Sequence, residues 1–224
     1  MALGSQIAFV AATVVVTLRA ETLTYEIRGG GTLKVDEQGI VFRKQVKKKP
    51  QQLRVWSYEH LQQVKVSDNK LLLVTYEDSP RWKLGVDRAF TFQLADPQTD
   101  YRAVYRLLHT KLDQRFVSAL AEVPPQFEWK VPVKKLGLVK GSEGTLYVAG
   151  DRIVYHSALS GESRTWRMQD LENVNSSGPF ELTLTTHERA RASYGSQKAF
   201  NFRLKEAVDQ GRVDALWRRL AKLP

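Results

Sequence analysis

Gly31-Thr32-Leu33-Lys34-Val35 returns 113 residues later as Gly144-Thr145-Leu146-Tyr147-Val148, and the fold is decided by that return. At the same offset Ile40-Val41-Phe42 meets Ile153-Val154-Tyr155. From Trp56 onward the offset falls to 110: Trp56, Leu61 and Val64 match Trp166, Leu171 and Val174. Leu72, Val74 and Thr75 match Leu182, Leu184 and Thr185, and Ala89-Phe90-x-Phe92-x-Leu94 matches Ala199-Phe200-x-Phe202-x-Leu204. A steady offset that carries a Trp and two Phe marks a tandem duplication, the feature to seek before any motif. The offset changes between Phe42 and Trp56, where the first copy holds Lys47-Lys48-Lys49-Pro50 and the second Ser160-Gly161-Glu162-Ser163. Insertions settle in exposed loops, so Lys47, Lys48 and Lys49 are expected at a hairpin tip.

Each copy reads as strands followed by one helix. Leu33, Val35, Ile40 and Phe42 alternate as half-buried strands do, with a turn at Gly39 and at Gly150-Asp151. Trp56-x-Tyr58, Val64-x-Val66, Leu71–Tyr76 and Phe90–Leu94 continue the pattern. The period then switches. Tyr101, Val104, Tyr105, Leu108 and Leu112 form one apolar helical stripe, as do Val213, Leu216, Trp217, Leu220 and Leu223. Asp96-Pro97 and Asp100 supply start signals for the first helix. Pro124-Pro125 cannot continue a helix and marks a linker.

The order G-T-L-x-V, I-V-F, basic loop, W-x-Y-E-x-L-x-x-V, L-x-L-V-T, F-x-F and helix resembles the pleckstrin-homology-like superfold, in its bacterial and GRAM-type forms. The central pieces are Trp56-Ser57-Tyr58-Glu59-His60-Leu61-Gln62-Gln63-Val64 and Trp166-Arg167-Met168-Gln169-Asp170-Leu171-Glu172-Asn173-Val174. The likeness spans residues 31–116 and 144–223. It implies a mainly β (α+β) fold: two domains, residues 21–118 and 131–224, each a strongly bent antiparallel sheet closed by one C-terminal helix, with 119–130 as linker. The whole chain also resembles exported bacterial proteins with a short leader and two such copies.

A chain of 224 residues that is 42% hydrophobic and 26% charged is neither disordered nor a multi-span membrane protein. Without cysteine it has no disulfide, no cysteine zinc site and no thiol nucleophile. Lys and Arg outnumber Asp and Glu by 34 to 24, and the resulting +10 is spread over both copies. Ile7 to Leu18 is an apolar or Thr run, shorter than the ~20 residues that span a bilayer. It has the length of a signal-peptide core, with Ala20 ahead of Glu21 as a cleavage site. Against this, residues 1–6 lack Lys and Arg, and Val14, Val15 and Val16 suit a buried strand. Export to the periplasm or beyond is the expectation; if residues 7–18 are a strand, the chain is cytoplasmic.

Catalytic constellations are missing. His60, His109, His156 and His187 are scattered without zinc spacing, and the Gly29-Gly30-Gly31 and Gly141-Ser142-Glu143-Gly144 stretches lack the ending of a phosphate loop. Glu59 and Asp170 precede Leu61 and Leu171 and read as turn or cap residues. Trp56, Trp166 and the repeated Phe pairs read as core. No enzyme activity, cofactor or metal is expected. The sharpest hint is Arg43, Lys44, Lys47, Lys48, Lys49 and Arg54, six cations across one hairpin, suited to anionic lipid or phosphate. The alternative is a solubilising hairpin tip that blocks edge pairing. Trp82, flanked by Arg81 and Lys83 where the second copy has Arg189, Ala190 and Arg191, is unmatched. It suits an interfacial anchor or partner contact, or a Trp folded over the barrel mouth. The resulting expectation is a binding or scaffold module for another protein, engaged through a strand edge, the Trp82 loop or the groove beside the helix. Peripheral binding to an anionic membrane or phosphorylated ligand is the alternative. Nucleic acid is suggested only by charge, with no reading helix or surface aromatic ladder.

Overall fold

The computed structural model describes residues 22–44, 50–79, 87–137, 140–159, 161–189 and 197–221. In the first half β1 (Leu23–Glu26), β2 (Thr32–Val35), β3 (Gly39–Lys44) and β4 (Gln52–Ser57) form an antiparallel meander. After a one-turn helix at Tyr58–His60 come β5 (Leu61–Ser67), β6 (Lys70–Asp78), β7 (Asp87–Gln93) and α1 (Arg102–Leu108). The second half repeats the order with β9 (Trp129–Lys135), β10 (Ser142–Val148), β11 (Arg152–Ser157) and β12 (Arg164–Arg167). A turn at Met168–Asp170 leads into β13 (Leu171–Gly178), β14 (Glu181–Arg189), β15 (Gln197–Leu204) and α2 (Gln210–Leu220). The fold is mainly β with two helices, its sheets strongly curled without closing, which is the fold class the sequence implies.

Each half has its own apolar core. In the first, Trp56 packs on Phe90 and Phe92 at ring-centroid distances of 4.9 and 5.9 Å. In the second, Trp166 meets Phe200 and Phe202 at 4.9 and 6.3 Å. These spacings lie within the range where aromatic pairs attract, so the repeated Trp and Phe are core, as read from the sequence. The first-half stripe of Tyr101, Val104, Tyr105, Leu108 and Leu112 is buried throughout, but α1 ends at Leu108 and Leu112 lies beyond it. In the second half Val213 and Leu216 are buried but Trp217 is 55% exposed. Trp217 sits one residue, or about 100°, beyond Leu216 on the helix, and α2 meets the sheet on its Val213–Leu216 side. Leu223 lies outside the described residues.

The repeated glycine has a steric reason. A Cβ at Gly144 would stand 2.2 Å from the His156 carbonyl oxygen and 2.7 Å from the Tyr155 ring. At Gly31, where φ is +110°, it would stand 2.7 Å from the Arg43 carbonyl oxygen. Both residues let one strand cross close to the next. Gly144→Ala is therefore expected to destabilise by about 2–3 kcal/mol, the cost of forcing atoms into a packed site. A shift of the urea midpoint reads this directly, and a change below measurement error would contradict it.

One further strand, β8 (Phe116–Ala119), has no counterpart in the sequence reading, which starts its linker at residue 119. It pairs parallel with β5, Val64 opposite Phe116, and antiparallel with β12, Thr165 opposite Ser118. The strand therefore joins the two halves into an eleven-stranded sheet, β13-β14-β15-β9-β10-β11-β12-β8-β5-β6-β7.

Candidate binding edge

The six-cation hairpin is the first place to look. Lys44 pairs with Gln52 at the end of the described β3–β4 ladder. Lys47, Lys48 and Lys49 lie outside the described residues, as do Arg81, Trp82 and Lys83. Of the others, Arg43 pairs with Leu53, whereas Arg54 pairs with Phe42. Successive strand residues point to opposite faces, so Arg43 lies on the outer face, and Lys44 and Arg54 on the inner one. The structure thus divides the three described cations between two faces.

Arg54 also has a structural task that recurs. Its guanidinium lies 4.9 Å from the centroid of Phe90, and Arg88 lies 4.9 Å from the same ring. At the matching positions Arg164 and Lys198 stand 6.0 and 4.8 Å from Phe200. Cations over an aromatic face are held by its quadrupole. The same cation–ring arrangement thus recurs in both halves.

The two halves differ on the outer face of β4 and β12. Val55 and Thr165 occupy the same place in the repeat. Thr165 is 2% exposed; its hydroxyl donates to the Leu120 carbonyl at 2.8 Å and accepts from the Glu122 amide at 3.0 Å. Beside it Val154 is wholly buried. In the first half Val55 is 65% exposed and Leu53 55%, and Val41, opposite Val55, is half-buried. β12 has β8 along its edge; β4 ends its sheet, and among the described residues no strand pairs with its outer side. An unpaired strand edge beside exposed apolar side chains is a template for another strand. Lys34 and Arg43 flank it on the same face, since Lys34 pairs with Val41 and Arg43 with Leu53.

The junction between the halves holds charges that sequence reasoning missed. Glu188 is buried and bonds Lys198 at 2.9 Å and, across the junction, Lys65 at 3.2 Å. Burial and then the nearby Arg164 push the Lys65 amine down to about 8, with Lys198 adding to the same trend. Despite its own burial, the Glu188 carboxyl stays below the ordinary range because Lys65, Lys198 and Arg164 surround it. Farther along, Asp170 accepts from the Arg167 amide at 2.8 Å, which confirms its capping role. Its match in the repeat is His60, not Glu59, and Glu59 is exposed. Arg102 is held by Asp68, Asp100 and Glu122, so its charge is already balanced where it lines a cleft beside His156 and Ser163. Among the described residues no group of three His, Asp or Glu could hold a metal, and no helix is long and apolar enough to cross a membrane.

No family model and no curated protein matches the chain. Among solved structures it is similar to the C-terminal domain of an unknown protein from Leishmania infantum, at 10% identity and a TM-score of 0.33, over 43% of this chain and 85% of that one. It is also similar to the Spt16D Pob3N heterodimer, at 10% identity and a TM-score of 0.29, over 85% of this chain and 98% of that one.

Proposed function

We propose that the chain is a non-catalytic binding or scaffold module, two pleckstrin-homology-like domains in tandem over residues 21–118 and 131–224, whose partner is another protein. The partner is taken as an extended segment along the outer edge of β4. The observation that carries this reading is the contrast at one repeated position, Val55 at 65% exposure against Thr165 at 2%. The second copy supplies the precedent, because β8 lies on the matching edge. Strand addition draws affinity from main-chain hydrogen bonds and specificity from alternate side chains, and Leu53 and Val55 offer two such positions.

The test uses a labelled peptide of residues 114–123, which contains β8, as the probe strand. It is added to a chain of residues 22–224, which retains every residue of both cores. Binding should weaken at least tenfold in Val55→Asp and change little between low and physiological salt. No saturable binding, or equal binding by Val55→Asp, would overturn the reading. Binding instead to anionic vesicles, lost with salt and on Lys47/Lys48/Lys49→Glu, would replace it with the membrane alternative.

A further inference from the structure

We propose that Lys65, at the junction of the two halves, is a site of covalent modification by carbon dioxide, which its amine takes up as a carbamate. The site is separate from the β4 edge and stands on the make-up of the charge cluster around Glu188.

That cluster holds more cations than carboxylates. Lys65 stands on β5 opposite Val117 of the bridging strand and reaches Glu188 of the second half at 3.2 Å. Lys198 bonds the same carboxylate oxygen at 2.9 Å. Arg164 is attracted by Glu188 and Glu162, and Lys135, bonded to Glu162, is repelled by Arg164 and Lys198. Among the described residues, then, Lys65, Lys198, Arg164 and Lys135 stand against Glu188 and Glu162, an excess of two positive charges. Glu188, Arg164 and Lys135 are buried, so solvent and salt screen that excess poorly. The Arg164 Nε–H is itself buried with no acceptor, and an unpaired buried donor is costly.

A carbamate answers both features. The nitrogen lone pair of the neutral amine bonds to the carbon of carbon dioxide, one C=O electron pair shifts onto oxygen, and one N–H proton leaves to solvent. One positive charge becomes one negative charge, which cancels the excess of two. The remaining N–H keeps a donor for Glu188, and the new carboxylate brings an acceptor to the side chain that lacks one. Arg164 and Lys198 act on Lys65 and Glu188 alike, and so offset the repulsion between the new anion and Glu188. The reaction also needs an unprotonated amine. Burial, then Arg164, brings the Lys65 amine to about 8, which leaves about a tenth of it neutral at pH 7, against about one part in three thousand for an ordinary lysine. The Lys65 side chain is only 18% exposed, an opening that suits a small uncharged molecule over a bulky acyl donor.

The test equilibrates the full chain with isotope-labelled carbon dioxide and bicarbonate at pH 8, then adds triethyloxonium, which fixes a carbamate as its stable ethyl ester. Mass spectrometry of the peptides should find the labelled ester on Lys65 at least tenfold above the exposed Lys34 and Lys70. At constant pH and ionic strength, carbon dioxide should also raise the urea midpoint of the parent, since what binds only the folded state stabilises it. Lys65→Met should lose the label and keep one midpoint with or without carbon dioxide. Circular dichroism matching the parent establishes that this variant has folded. Lys65 labelled no more than Lys34 would overturn the proposal, and so would a label on Lys135 in its place. A label on Lys65 with an unmoved midpoint would overturn the charge balance on which the site rests.

Discussion

Glu188→Gln is expected to destabilise the protein by about 3–5 kcal/mol at pH 7, the range for breaking a buried charge pair from one side. Glu188 is the acid among Lys65, Lys198 and Arg164. Without its charge the buried Arg164 and the partly exposed Lys65 and Lys198 face one another across the junction. Lys65→Met should behave oppositely, staying within about 1 kcal/mol of the parent or exceeding it, because a buried ion replaced by an apolar side chain of similar size is often neutral or stabilising. Glu188 then keeps Lys198 at 2.9 Å. The pH dependence follows from the same group. The Lys65 amine titrates at about 8 in the folded protein, against 10.5 for an ordinary lysine. Between those values the unfolded chain holds a proton that the folded chain has released, so stability rises with pH through that window. Below pH 8 both states are protonated and the cost of burying the charge is fully present. Above pH 10 the trend reverses. Burial raises the Tyr58 and Tyr101 phenols, so the unfolded chain ionises first and the folded state loses ground. Urea denaturation from pH 7 to 11 should show a maximum near pH 9–10, flattened on its acid side in Lys65→Met. The Glu188→Gln deficit should shrink toward pH 9 as Lys65 gives up its proton. A deficit below about 1 kcal/mol at pH 7 would show that the cluster is not buried in solution.

What the sequence makes legible is what the two copies share. Trp56 and Trp166, with their Phe pairs, identify each other across 110 residues because each fills the equivalent place in its half's core. The change in offset locates the β3–β4 hairpin, whose ladder ends at Lys44 and Gln52. The junction was illegible for the complementary reason. Thr165, Arg167 and Lys65 face Val55, Ser57 and Asn175 in the other copy, so a search for agreement passes over them. β8 is four residues long, too short for a periodic signal. Disagreement between the copies was the available signal: a Thr where its twin is Val, and an Arg where its twin is Ser, each on the last strand of a meander. The division of Arg43 from Lys44 was also within reach, since adjacent strand residues take opposite faces. Counting cations along a hairpin hides it.

Arg167→Met should cost about 3–4 kcal/mol, within the range for a broken buried pair, and should separate the unfolding of the two halves. The Arg167 guanidinium donates to the carbonyls of His109, Leu112 (2.7 Å) and Asp113 (2.8 Å), where the first half leaves α1. On its other side it bonds Asp170 at 2.6 Å. One side chain thus ties the last turn of one half to the strand end of the other, and it packs 5.3 Å from the centroid of Phe116 on the bridging strand. Methionine keeps the bulk but leaves the Asp170 carboxylate without its cation and removes the guanidinium donor from the His109 and Leu112 carbonyls, while the Asp113 carbonyl keeps the Phe116 amide at 3.1 Å. Burial already raises the Asp170 pKa, so the uncompensated acid takes up a proton more readily and the variant should be less impaired at pH 5 than at pH 7. Because each half carries a complete core, loss of this tie falls on the junction. Tryptophan fluorescence in urea should resolve two transitions in the variant where the parent shows one. Asp170→Asn, which preserves the guanidinium and an acceptor for the Arg167 amide, should cost only about 1–2 kcal/mol, the scale of a weakened hydrogen bond. A single transition in Arg167→Met, displaced by less than about 1 kcal/mol, would mean that β8 pairing alone couples the halves.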